Sequence, residues 1–164
     1  MAQEPHTVGL VTVNMPLAGY AYAIQRLEHA AGHPSASFRA VFEALNWATS
    51  IDDRIRQHWV PEGQPLDWEW RERVSGAEVM PGVRFARNHV HHHWADAVYL
   101  DGMTWRWRAL SDLSAGADDR GSDVYVEHLE DQPVELTLAR LAQAFERVGE
   151  FLEPPRPTRP QPSE

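Results

Sequence analysis

The segment Arg87-Asn88-His89-Val90-His91-His92-His93-Trp94 places a guanidinium, an amide and four imidazoles within eight residues. Histidine is the side chain that exchanges protons near neutral pH, and arginine can offer two parallel N–H donors to a phosphate. Together they suit one reaction. RNA is cut by its own 2′-hydroxyl when a base removes that proton and a cation stabilises the crowded phosphate. On this reading His92 is the base or acid, Arg87 holds the phosphate, and Asn88 orients His92 or a phosphate oxygen. In a helix each residue advances by about 100°, so Asn88 stacks over His92 while Arg87 and His92 stand about 140° apart. The long arginine side chain lets both reach one cleft, although Arg87 and His91 are the closer pair in angle.

Two other readings use the same residues. His89 and His93, four apart on one face, with Asp96 three further on, have the spacing of a metal site, but the sequence shows no complete coordination shell and no metal is assigned. Alternatively, His91, His92 and His93 decorate a solvated helix face, and Arg87 makes an ion pair with one of the many acidic neighbours. The chain has no cysteine, which removes disulfides, thiolate zinc sites and thiol nucleophiles together. It also has no Gly-rich phosphate loop, no serine-nucleophile elbow and no HExxH, so P-loop hydrolysis, α/β-hydrolase chemistry and zincin proteolysis are not expected.

The elements that must carry these residues read as helices. Leu17, Tyr20, Ala21, Ile24, Leu27 and Ala31 form a 3.6-period face that Pro16 can start and Gly32 can stop. After His33 and Pro34, Ser35 or Ser37 is placed to cap a long second helix through Phe38, Val41, Phe42, Leu45, Ala48, Ile55 and Trp59, ending before Pro61. A short linkage makes two such helices antiparallel neighbours. From Pro61 to Gly82 the pattern predicts a loop and then a short helix. Beyond Pro81 and Gly82, the stripe Val83, Ala86, Val90 and Ala97 predicts the helix bearing the arginine and histidines, most of the histidines lying off that stripe. Residues 102–123 are the least regular, with a Trp105-Arg106-Trp107 alternation that reads as a short strand or extended loop. Val134, Leu138, Leu141, Phe145, Val148 and Leu152 predict the clearest helix.

The expected fold is therefore all-α, an up-and-down helical bundle with an irregular loop or short extended segment before the last helix, in which Ile24, Leu45, Val90 and Leu141 meet in one core. A length of 164 residues fits one domain, set at 1–152, followed by a Pro-rich tail at 153–164 that is expected to be disordered. The N-terminus shows no secretory signal and Val8 to Ile24 is too broken to span a bilayer, so a cytoplasmic, non-membrane protein is expected. A net charge of -9 argues against non-specific coating of nucleic acid and confines any basic site to Arg84, Arg87, Arg106 and Arg108. Asp52, Asp53, Arg54 and Arg56 could supply a polar face toward the same cleft, but charges at such spacing read first as a solvated helix surface. Among the seven tryptophans, Trp94, Trp105 and Trp107 lie near the arginines as possible base-stacking platforms, with core or dimer packing expected for most.

Arg87-Asn88, three intervening residues and His92 resemble the motif of the HEPN superfamily, an arginine and a histidine separated by four to six residues, often with a polar residue after the arginine. The resemblance implies a compact helical bundle, often a homodimer, with the motif near the start of a late helix and two copies facing each other. It implies a metal-independent endoribonuclease without cofactor, of a toxin, antiphage or RNA-processing system, with Arg87, Asn88 and His92 as the catalytic residues. Its partners would be RNA, a second copy and a protein such as an antitoxin. Other members are non-catalytic, so the alternative is a helical dimerisation or binding module. The subgroup paired with nucleotidyltransferase antitoxins adds a tyrosine two positions after the histidine, where this chain has Trp94.

Overall fold

The first helix, α1 (Thr7–His29), buries Val13, Tyr20, Ala23 and Leu27, a spacing that keeps one face on the core. The computed structural model describes residues 7–30, 32–58, 69–93, 97–113 and 120–147, with the backbone alone at 7–12, 57–58, 69, 73 and 91–93. Pro16 lies inside α1 and not at its start. A mid-helix proline removes one backbone hydrogen bond and crowds the preceding turn, at about 3 kcal/mol. Here Pro16 is itself buried, between Val13 and Tyr20, and packing of the helix outweighs the local preference.

The chain turns at Gly32, whose φ is +83°, into α2 (Pro34–His58). Pro34 opens that helix, where a missing N–H costs nothing. Ser37 is no cap: its hydroxyl bonds back to the carbonyls of His33 and Pro34. Successive contacts between α1 and α2 run in opposite senses, Gly19 against Trp47 and Arg26 to Glu43, so the helices are antiparallel neighbours. A β-carbon at Gly19 would overlap the Trp47 ring, which shows how closely the two backbones approach.

A short α3 (Glu69–Arg73) and a 3-10 turn at Ala77–Val79 lead directly into α4 (Met80–His93). This helix starts ahead of Pro81 and Gly82, and Pro81 sits in its first turn, where the proline N–H would have no partner in any case. The expected extended segment is a hairpin, β1 (Val98–Asp101) and β2 (Thr104–Trp107), antiparallel with Val98 opposite Trp107 and Asp101 opposite Thr104. The hairpin is tied to the approach to the last helix: the Trp107 amide donates to the Gln132 carbonyl, and the Asp131 amide donates to the Trp107 carbonyl.

Between the hairpin and that helix lies α5 (Ser122–His128), which the sequence pattern did not predict. Its seven residues supply too few periodic positions to read. It is held by Tyr125, whose hydroxyl donates to the Arg108 carbonyl at 2.6 Å, and by close packing on α4, where a β-carbon on Gly82 would meet the Tyr125 backbone. The last described helix, α6 (Val134–Glu146), buries Val134, Leu138, Leu141 and Phe145 as the pattern predicts. Its expected continuation through Val148 and Leu152, and the tail at 153–164, lie outside the described residues.

One continuous apolar cluster joins all these elements. Leu45, Val90 and Leu141 are buried in it and Ile24 packs against it half-buried. The Tyr20 hydroxyl crosses from α1 to the Leu138 carbonyl of α6 at 2.6 Å, with its ring edge-on to Phe145. The molecule is thus mostly helical, with six α-helices and a two-stranded sheet among the described residues, so the all-α expectation holds for the helices and is corrected by the hairpin. No described helix is long and apolar enough to cross a membrane.

Candidate functional site

The helix α4 turns Val83, Phe85, Ala86, His89 and Val90 into the core and leaves Arg84 and Arg87 half-buried and Asn88 exposed. Arg84 and Arg87, three residues apart, lie on one side of the helix, and both reach α2. The Arg87 Nε donates to Asn46 Oδ1 at 3.0 Å and its Nη1 to Asn88 Oδ1 at 3.3 Å. The Asn46 amide is itself oriented, because its Nδ2 donates to the Phe42 carbonyl at 3.0 Å. That bond directs the amide oxygen toward the guanidinium.

The two partners of Arg87 are neutral. Arg26, Arg71, Arg84, Arg106 and Arg140 are all paired with carboxylates, whereas no described carboxylate pairs with Arg87. The ion pair with an acidic neighbour that would make Arg87 a surface residue is therefore not found among the described residues. Two amide oxygens fix the fork without neutralising its charge, and that arrangement suits a group kept for an external anion.

Next to Arg87 along the seam, Arg84 binds Asp52, Asp53 and the Thr49 carbonyl. Asp52 departs from the solvated-surface reading, because its side chain is 0% exposed, while Asp53 and Arg54 are exposed as expected. The Asp52 Oδ1 accepts from the Trp70 indole at 3.1 Å and from Arg71 Nε at 2.8 Å, and its Oδ2 accepts from Arg71 Nη2 and Arg84 Nε. Burial alone would raise the Asp52 pKa, but the hydrogen bonds and charges of Arg71 and then Arg84 outweigh it and hold the carboxyl below its ordinary value. The signal was present in the sequence: Asp52 follows Leu45 by seven residues and Ala48 by four, on the apolar face of α2. Asn46, Trp70 and Arg71 carried no comparable signal, since their roles come from other elements.

Of the histidines, His89 is buried and its ring lies 4.5 Å, centroid to centroid, from Phe85. It belongs to the core side of α4, next to Val90. The backbone of α4 carries His91, His92 and His93, and their side chains lie outside the described residues. By helical rotation His91 shares the sector of Arg84 and Arg87, and His92 follows Asn88 by one turn. The proposed metal set fares no better as a described cluster: His93 and Asp96 lie outside the described side chains, and no group of three His, Asp or Glu side chains suited to a metal occurs among those described.

The tryptophans divide. Trp107 is fully buried and its indole donates to Thr137 Oγ1 at 2.9 Å, so it is a core residue. Trp105 is half-buried against Phe38 and donates to Ser37 Oγ at 2.8 Å. Trp94 lies outside the described residues. The residues brought together are therefore Arg87, Asn88, Asn46, Arg84 and Asp52 along the α2–α4 seam. The chain matches no protein-family model, no curated protein and no solved structure.

Proposed function

We propose that the chain is a metal-independent endoribonuclease of the HEPN kind, acting as a homodimer, with Arg87 as the phosphate-holding group and His92 as the proton-transfer group. The observation that carries this reading is the Arg87 guanidinium, oriented by Asn46 and Asn88 yet paired with no described carboxylate. A cation that is already aligned and not neutralised loses little order when it meets a scissile phosphate. Asn88, bonded to Arg87, stands one helical turn before His92 along α4. An acidic protein with one such basic seam would bind RNA locally, without coating it. A toxin or antiphage role with a protein antitoxin, and the pairing of two motif helices across a C2 interface, belong to the same proposal.

The test is cleavage of a panel of single-stranded and structured RNAs with chelator present. Arg87→Ala and His92→Ala are expected to lose cleavage by at least about 100-fold while keeping helical content and dimerisation. Loss in His91→Ala but not in His92→Ala moves the proton transfer to the histidine that shares Arg87's sector. Equal cutting by wild type and the Arg87→Ala, His92→Ala double variant places the activity elsewhere. If no RNA is cut at all, a non-catalytic binding module takes the place of this reading.

A further inference from the structure

The network around Asp52 contains three guanidinium groups and two carboxylates. Asp52 is saturated, both of its oxygens being taken by Trp70, Arg71 and Arg84. Asp53, half exposed, is taken by Arg84. Among the described residues no ion pair is formed by Arg56, one turn further along α2. Its Nε is buried and has no hydrogen-bond partner, and burial followed by repulsion from Arg71 disfavours its charged form more strongly than Asp52 favours it. The nearby acid Glu78 is occupied by the Gly76 amide and Arg140, and Glu72 on α3 is exposed to water. A third cation placed in this way adds a desolvation cost that the attraction of Asp52 and Asp53 does not repay.

We propose that Arg56, together with Arg71 and Arg84, forms a second phosphate-binding subsite, which takes a phosphodiester group of the strand away from the bond held by Arg87. This rests on the endoribonuclease reading for the identity of the strand. Asn46, which aligns Arg87, and Arg56 are ten residues apart on α2, about 15 Å along the helix. Arg84 lies between them in height, bonded to Thr49, Asp52 and Asp53, so a line from Arg87 through Arg84 leads to the Asp52 group, with Arg56 about 80° around α2 from Asn46. A single strand lying along that line would meet Arg87 first and the Arg56 group a few nucleotides away. A phosphate meeting the half-buried Arg56 would offset the surplus positive charge of three guanidinium groups set against two carboxylates.

The experiment is a salt titration of the binding of a fluorescent 2′-O-methyl RNA decamer, which cannot be cut through its 2′ position, to the full chain and its variants. Each phosphate neutralised in a single strand contributes about 0.7 to the slope of log K against log salt. Arg56→Met is expected to lower the slope by about that amount, Arg87→Ala by a similar amount, and the double variant by about 1.4. Arg56→Lys, which keeps the charge, is expected to keep most of the slope. Arg56→Met is also expected to melt no lower than wild type, since it removes a partly desolvated cation with an unpartnered Nε and retains an apolar stem.

An unchanged slope in Arg56→Met with a reduced one in Arg87→Ala overturns the subsite and leaves the cleavage site standing. A reduced slope in Arg56→Met with no effect of Arg87→Ala supports the subsite and overturns the placement of the cleavage site. No binding by wild type overturns the subsite. A large fall in the melting temperature of both Arg56→Met and Arg56→Lys makes Arg56 a structural member of the ion network and also overturns it.

Discussion

Asp52→Ala is the perturbation whose cost can be followed atom by atom. The carboxylate accepts four hydrogen bonds, from the Trp70 indole, two nitrogens of Arg71 and the Nε of Arg84. Its removal leaves a buried indole N–H without an acceptor and two guanidinium groups facing each other across a small void. Breaking a buried ion pair by deleting one partner costs about 3–5 kcal/mol. Arg71 and Arg84 keep 15% and 28% of their side-chain surface exposed, and Arg84 retains Asp53 and the Thr49 carbonyl. Water and these partners recover part of the loss, so a net cost of about 3 kcal/mol is expected, close to the lower bound.

Against a total stability of about 5–15 kcal/mol that is a large fraction, and it corresponds to a fall in Tm of about 6–12 °C for a chain of this size. The assay is urea unfolding followed by far-UV circular dichroism and tryptophan fluorescence, with the midpoint falling and the m-value unchanged. Asp52→Asn, which keeps one acceptor and the shape, is expected to fall between wild type and Asp52→Ala. A loss below about 1 kcal/mol in Asp52→Ala would mean that the network is a solvated surface arrangement and that its role in holding α3 and α4 to α2 is wrong.

The same carboxyl predicts a pH dependence: its folded pKa lies below the ordinary carboxylate value, so its contribution is complete above the unfolded value of about 3.9 and is lost as the pH falls through the folded value. Thermal melts of wild type and Asp52→Asn between pH 7 and pH 2 are therefore expected to converge at the acid end, and parallel curves over that range would refute the assignment. Gly121 has a φ of +86°, and a β-carbon there would collide with the Pro81 carbonyl, so Gly121→Ala is expected to destabilise by about 1–3 kcal/mol through strain where α5 starts against α4. Equilibrium unfolding checks this, and a neutral substitution would show that α5 can move off α4 freely.

Much of the scaffold was legible because helix burial leaves a period in the sequence. The stripes through Leu45 and Ala48, Val83 and Val90, and Leu138 and Leu141 each lie on a face that meets the core, since residues three and four apart share a side of the helix whatever it packs on. Local preferences that packing can override were less informative. Pro16 reads as a helix start and sits mid-helix, and Ser37 reads as a cap and bonds back within its own helix. α5, too short for a period, is held by Tyr125 and by the approach of Gly82.

At the candidate site the division follows the same physics. The sequence by itself determined that α4 carries Arg87 at the edge of the Val83–Val90 stripe and Asn88 on the far side from it, because rotation along a helix depends on spacing alone. The tertiary structure decided what that spacing could not hold: that Asn46, 41 residues earlier, aligns the Arg87 guanidinium, and that Asp52, apparently a surface acid, is a buried acceptor for α3 and α4. Hydrogen-bond partners of polar side chains depend on which helices become neighbours and at what height. Those choices are made by burial of the whole apolar cluster, and no local pattern around Arg87 or Asp52 encodes them.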